Sequence, residues 1–128
     1  MGNAATVARI FELWASGRIE DASELLHSEI AWNEPPETIG RNVVVGPDAA
    51  LGALANWSDQ FDAIRAEPTE LREEGDRVLL ALRQHARPHG STAEVSADLY
   101  MVWWFRDEKA VRMEMYNTRE QAEAAFAR

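Results

Sequence analysis

Few residues in this chain can do chemistry, and the most pointed is an acid at the end of an apolar run. In "AWNEPPET", residues 31 to 38, Glu34 stands directly before Pro35 and Pro36. Proline has a fixed φ and no N–H, and it pushes the preceding residue into an extended conformation, so Pro35 marks the end of a strand with Glu34 as its last residue. A carboxylate there is either a solvated turn acid or part of a binding cavity. In the second case an apolar setting raises its pKa and suits it to general acid or base work.

The other chemically capable residue types narrow the field. The chain has no cysteine, which removes thiol nucleophiles, disulfides and zinc–thiolate sites. Of its three histidines, His27, His85 and His89, the last two straddle "ARP" near a turn rather than lying on a helix, so no metal site and no cofactor are expected. His27 falls between a helix and a strand, where it packs or caps; His85 can titrate within an interface; His89 belongs to a turn. The net charge is -9, with 22 acids against 13 bases, a surface that repels phosphate backbones and disfavours nucleic acid as a partner.

The elements that must hold Glu34 follow from periodicity. Val7, Ile10, Phe11 and Trp14 form the stripe of an amphipathic helix stopped by Gly17. A short second helix carries Ala22, Leu25 and Leu26, and alternation through Ile30 and Trp32 then marks the first strand. "VVVGPDAALGALANWSDQFDAI" opens a third helix at Pro47, with Leu51, Leu54, Trp57, Ser58 and Phe61 on its buried face. From Pro68 the pattern is strand: two long strands joined at "HGST", a tight turn at "DEK", and "AVRMEMYN". Thr118 with Gln121 is a capping box for a last helix over 119–127. With 128 residues and no linker, the chain reads as one domain, 1–128. No stretch approaches the ~20 apolar residues needed to span a bilayer, and "MGNAATVARIFELW" lacks the basic start and apolar run of a leader. No membrane partner and a soluble, cytoplasmic location are expected.

Alternation assigns the strand residues to faces. One face holds Val78, Leu80, Leu82 and Gln84 beside Leu99, Met101, Trp103 and Phe105, joined by Val111, Met113, Met115 and Asn117 if the "DEK" connection has three residues. This apolar face must pack beneath the helices, around a filled core or around a cavity lined by Trp14, Trp32, Phe61, Leu82, Met101, Trp103, Met113 and Met115. The opposite face carries Arg83, His85 and Arg87 with Tyr100, Val102, Trp104 and Tyr116. Its mixture of charge and aromatic area suits a homodimer interface, the plainer reading being a solvated face with cross-strand ion pairs.

Two long stretches, "VARIFELWASGRIEDASELLHSEIAWNEP" and "VWWFRDEKAVRMEMYNTREQAEAAF", resemble the nuclear transport factor 2-like superfamily, in particular its SnoaL-like polyketide cyclase and ketosteroid isomerase branches. The resemblance implies an α+β fold in which a cone-shaped, curved antiparallel sheet wraps around helices, a cystatin-like α+β barrel, with a deep pocket and dimerisation through the convex face. It also places Glu34 where isomerases of that superfamily keep their general base. Their enolate-stabilising Tyr and protonated Asp fall here on Ile10 and Met101, neither of which donates a hydrogen bond; losing an oxyanion donor costs about 3 to 4 kcal/mol of transition-state stabilisation. The expectation is therefore a pocket for a small hydrophobic or aromatic molecule. Glu34 acts there alone as acid or base and Gln84 or Asn117 orients the ligand; the alternatives are a non-catalytic binding module and a dimerisation module of the same fold. "DEK" stands where relatives often have Asp-Gly-Lys, which either puts Glu108 at positive φ or alters the turn and the face of residues 111–117.

Overall fold

A computed structural model describes residues 2–40 and 43–128; Met1, the first residue of the segment read for a leader, lies outside them. Helix α1 (Asn3–Ala15) ends where expected. Gly17 adopts φ +74°, and the Gly17 and Arg18 amides return to the Trp14 and Leu13 carbonyls, satisfying groups that a helix end otherwise leaves bare. The second helix is a 3-10 segment, Ile19–Leu25.

Strand β1 (Leu26–Asn33) follows, then β2 (Val43–Val45) and α2 (Pro47–Ser58). Val43–Val45 was read into the opening of the helix. It forms instead a short edge strand antiparallel to β1, consistent with a β-branched run that Gly46 and Pro47 separate from the helix. Four long strands complete the sheet: β3 (Phe61–Glu74), β4 (Arg77–Pro88), β5 (Val95–Arg106) and β6 (Lys109–Tyr116). Phe61 thus opens β3 rather than closing α2. The helix stops at Ser58, and alternation of half-buried Ile64 and Ala66 with exposed Ala63 and Arg65 begins at once.

The fold is α+β, with a curved, unclosed six-stranded sheet ordered β2-β1-β6-β5-β4-β3 and packed on helices. All neighbours are antiparallel except β1 with β6, which run parallel. The predicted faces hold: Val78 pairs Trp103, Leu80 pairs Met101 and Leu82 pairs Leu99, while Trp103 and Met101 pair Met113 and Met115. Asp107 and Glu108 both take positive φ, +54° and +67°, the two-residue turn whose twist matches a hairpin. One irregularity follows. Phe105 pairs Ala110 and Trp104 pairs Arg112, so Val111 is the extra residue of a bulge and leaves the apolar set in which the sequence placed it.

Sequence reading assigned every helix to one side of the sheet. The last helix, α3 (Arg119–Phe126), lies instead on the outer face, where Ala122, Ala125 and Phe126 bury Leu79 and Val102. Thr118 caps it by accepting from the Gln121 amide. Arg72 stands over the Phe126 ring at 5.1 Å and Arg119 over Tyr100 at 5.2 Å, both also paired with Glu70 and Glu123. Val102, assigned to the convex interface, is therefore fully buried within the chain itself. No helix among the described residues is long and apolar enough to cross a membrane.

Candidate functional site

A cavity of about 260 Å³ opens between one flank of α1 and the strands β3 and β4. From α1 come Val7, Ala8, Phe11, Glu12, Trp14 and Ala15; facing them are Ala66, Pro68 and Leu71 of β3 and Leu80 of β4. Two features leave this space. Ala8, Ala15 and Ala66 are small where larger side chains would fill it, and a bulge between Pro68 and Glu70 interrupts the pairing of β3 with β4. Its walls are almost wholly apolar, and Glu12 is the one ionisable residue among them.

Of the residues predicted to line a pocket, Trp14 does so, half-buried, with its Nε1 donating to Ser58 Oγ at 3.0 Å. The remaining concave residues pack against one another. Trp103 is fully buried; Trp32 meets it edge-on at 5.8 Å, and Met113, Met101 and Leu82 are buried in the same cluster with Met115 partly covered. The Trp103 Nε1–H has no acceptor among the described residues, an unspent donor in an apolar interior. Phe61 lies against Trp57, ring centroids 5.5 Å apart. Gln84 accepts the Trp57 indole N–H through Oε1 at 2.7 Å.

Glu34 and Asn117 sit away from that cluster. Strand β1 ends one residue earlier than expected, at Asn33, whose side chain donates to the Met113 carbonyl at 3.1 Å. Glu34 follows, half-buried, and is not among the walls of the cavity. Asn117 is exposed and donates to Glu37 at 3.0 Å, beside Gln121, which donates to the other Glu37 oxygen at 2.7 Å. Both thus secure the segment after β1.

The corner between α2 and β3, next to Trp57 and Ser58, is pinned to the β4–β5 connection. The His89 ring meets Asp62 at 2.6 Å through Nδ1 and the Asp59 carbonyl at 2.7 Å through Nε2. Both partners are acceptors, which calls for the doubly protonated ring. The hydrogen bond to Asp62 foremost, then that to Asp59, holds the imidazole above its ordinary value, while His89 and the Gly90 amide hold the Asp62 carboxyl below its own.

Sequence reasoning missed Glu12, and with it Ala8 and Ala15. A charge on an amphipathic helix reads as a solvated face, and alanines read as indifferent; only their common flank on α1, opposite a proline-bearing strand, would have signalled a gap.

The family model described as a SnoaL-like domain matches residues 7–113. No curated protein matches the chain. Among solved structures, the chain is similar to TerC co-crystallised with polyporic acid, at 22% identity and TM-score 0.79 over 98% of each chain. It is also similar to a protein from Jannaschia sp. provisionally assigned as a SnoaL-like polyketide cyclase, at 17% identity and TM-score 0.77 over 98% of this chain and 91% of that one. A third, from Catenulispora acidiphila, has a ketosteroid isomerase-like fold and was crystallised with trimethylamine; it is 12% identical, with TM-score 0.75 over 95% of this chain and 92% of that one.

Proposed function

The chain belongs to the SnoaL-like domain family, and on that premise we propose that it is a pocket protein that takes up a small, largely apolar molecule. The observation that carries this reading is the apolar cavity of about 260 Å³ between α1 and β3–β4, just below the ~300 Å³ at which the range for small-molecule sites begins. Structural neighbours were crystallised with compounds as different as polyporic acid and trimethylamine, so the fold does not name the ligand. An apolar fluorescent probe titrated into the native protein should bind saturably with one site per chain and be displaced by small aromatic compounds. Binding that never saturates would return the chain to a filled-core module.

A second reading is proton transfer with Glu34 as acid or base, and what supports it is the half-buried position of this carboxylate directly after β1 and before Pro35. Exchange of the α-protons of aromatic ketones for deuterium, followed by NMR, tests it. Exchange lost in Glu34→Gln with probe binding retained supports the role; exchange surviving that substitution removes it. A second copy of the chain on the outer face, beside α3 and against Arg83, Tyr100, Trp104 and Tyr116, belongs to the same proposal.

A further inference from the structure

The cavity's single charge decides what kind of apolar molecule suits it. Glu12 is one of the ten residues of the wall, yet its side chain remains 70% exposed, so the carboxylate stands at the mouth rather than in the depth. Its cationic partner among the described residues is Arg9, 2.9 Å away and one helical turn back, and Arg9 is not part of the wall. An exposed pair of this kind is weak in water and yields readily to a competing cation.

Phe11 and Trp14 line the same cavity, their ring centroids 6.1 Å apart at 73°. Aromatic faces attract cations electrostatically, most of all where water is partly excluded. The chain as a whole carries a net charge of -9, a field that raises the local concentration of cations and lowers that of anions. Carboxylate, aromatic walls and overall field all favour one sign of ligand.

Resting on the reading of this cavity as a small-molecule site, we propose that it selects small apolar amines in their ammonium form. The apolar body fills the space against Phe11, Leu80 and Leu71, and the ammonium stays at the mouth beside Glu12. Placement at the mouth matters: a fully buried ammonium would pay a desolvation penalty, whereas one beside an exposed carboxylate keeps part of its water. About 260 Å³ leaves room for a single ring or a short branched chain.

The test compares 2-phenylethylamine, 2-phenylethanol and phenylacetate, of similar size and different charge, by calorimetry and tryptophan fluorescence on the full chain. The amine should bind about tenfold or more tighter than the alcohol at low salt, with phenylacetate weakest, and the advantage should shrink at about 1 M salt. Glu12→Gln, an exposed substitution that leaves the core untouched, should bring the amine to within about twofold of the alcohol. Ala8→Phe, which adds a ring at the exposed rim of the cavity, should weaken both. An alcohol that binds as well as the amine, or an amine preference that survives Glu12→Gln, overturns the ligand class while leaving the pocket in place. Binding of the alcohol and amine undiminished by Ala8→Phe, or no binding of any of the three, overturns the pocket as well.

Discussion

The Trp57 indole donates to Gln84 Oε1 at 2.7 Å and so ties the last turn of α2 to the middle of β4. Gln84 had been expected to turn its amide toward a ligand, but its oxygen serves the fold. The two ends differ in access to water, since Gln84 is 9% exposed and Trp57 38%. Trp57→Phe strands a buried acceptor and should cost about 1–3 kcal/mol in urea unfolding. Gln84→Leu frees an indole that water can reach and should cost less, and the double variant should be more stable than Trp57→Phe alone. Equal costs for the two single changes would place the hydrogen bond in solvent.

On the outer face Glu114 is 6% exposed yet charged. Burial pushes its carboxyl up, but hydrogen bonds from Tyr116 and Arg112 and the charges of Arg112 and Arg128 outweigh this and hold it below its ordinary 4.5. A folded-state value below the unfolded one means the contribution is fully present above pH 4.5 and is lost as pH falls through the lower native value. Glu114→Gln should lose about 1.5–3 kcal/mol at pH 7, the range for hydrogen bonds to charged groups. The gap between the two proteins should close in acid; a gap independent of pH would mean that the side chain matters for packing alone.

What the sequence disclosed and what it hid follow from the range of the signals. The pairing of Val78 with Trp103 and of Met101 with Met115 was readable because a period of two, fixed by short turns, leaves no freedom of face. The Val111 bulge was not, since one extra residue leaves no mark in composition. The side on which α3 packs was hidden for another reason: its short stripe of Ala122, Ala125 and Phe126 does not say which sheet face it covers, and its partners Leu79, Val102, Arg72 and Arg77 are far away in the chain. Glu34 was picked out by its prolines, a strictly local cue, whereas the cavity depends on Ala8 and Ala15 of α1 and Ala66 of β3, which meet only in space.

The position of α3 bears on assembly. With Val102 covered, a second copy must meet the half-buried Tyr100, Trp104 and Tyr116 around the helix. Sedimentation of the full chain should show a dimer, and Trp104→Glu should yield a folded monomer with a lower melting temperature. A wild-type chain that sediments as a monomer would leave that aromatic rim as the solvated flank of α3.

His89 offers the sharpest pH signature. Its ring bridges Asp62 and the Asp59 carbonyl, with Arg87 3.7 Å from the same carboxylate and the Gly90 amide donating to it. Because the native imidazole is held above the ordinary 6.5, its contribution is fully present below pH 6.5 and is lost as pH rises through the native value. Asp62 has the opposite sign: held below 3.8, it contributes above that pH and fails as pH falls through its native value. The pin is therefore set between the two limits. An NMR titration should give His89 a midpoint above 6.5, moving down in Asp62→Asn as the carboxylate charge is lost. The consequence reaches the cavity, because the pinned corner follows directly on Ser58, whose Oγ holds the Trp14 indole at 3.0 Å. Alkaline release of His89 should loosen that wall and weaken probe binding in the wild type, while His89→Ala should bind more weakly at every pH and show no such transition. A wild-type midpoint at or below 6.5 would mean that the ring is neutral and the corner is held without it.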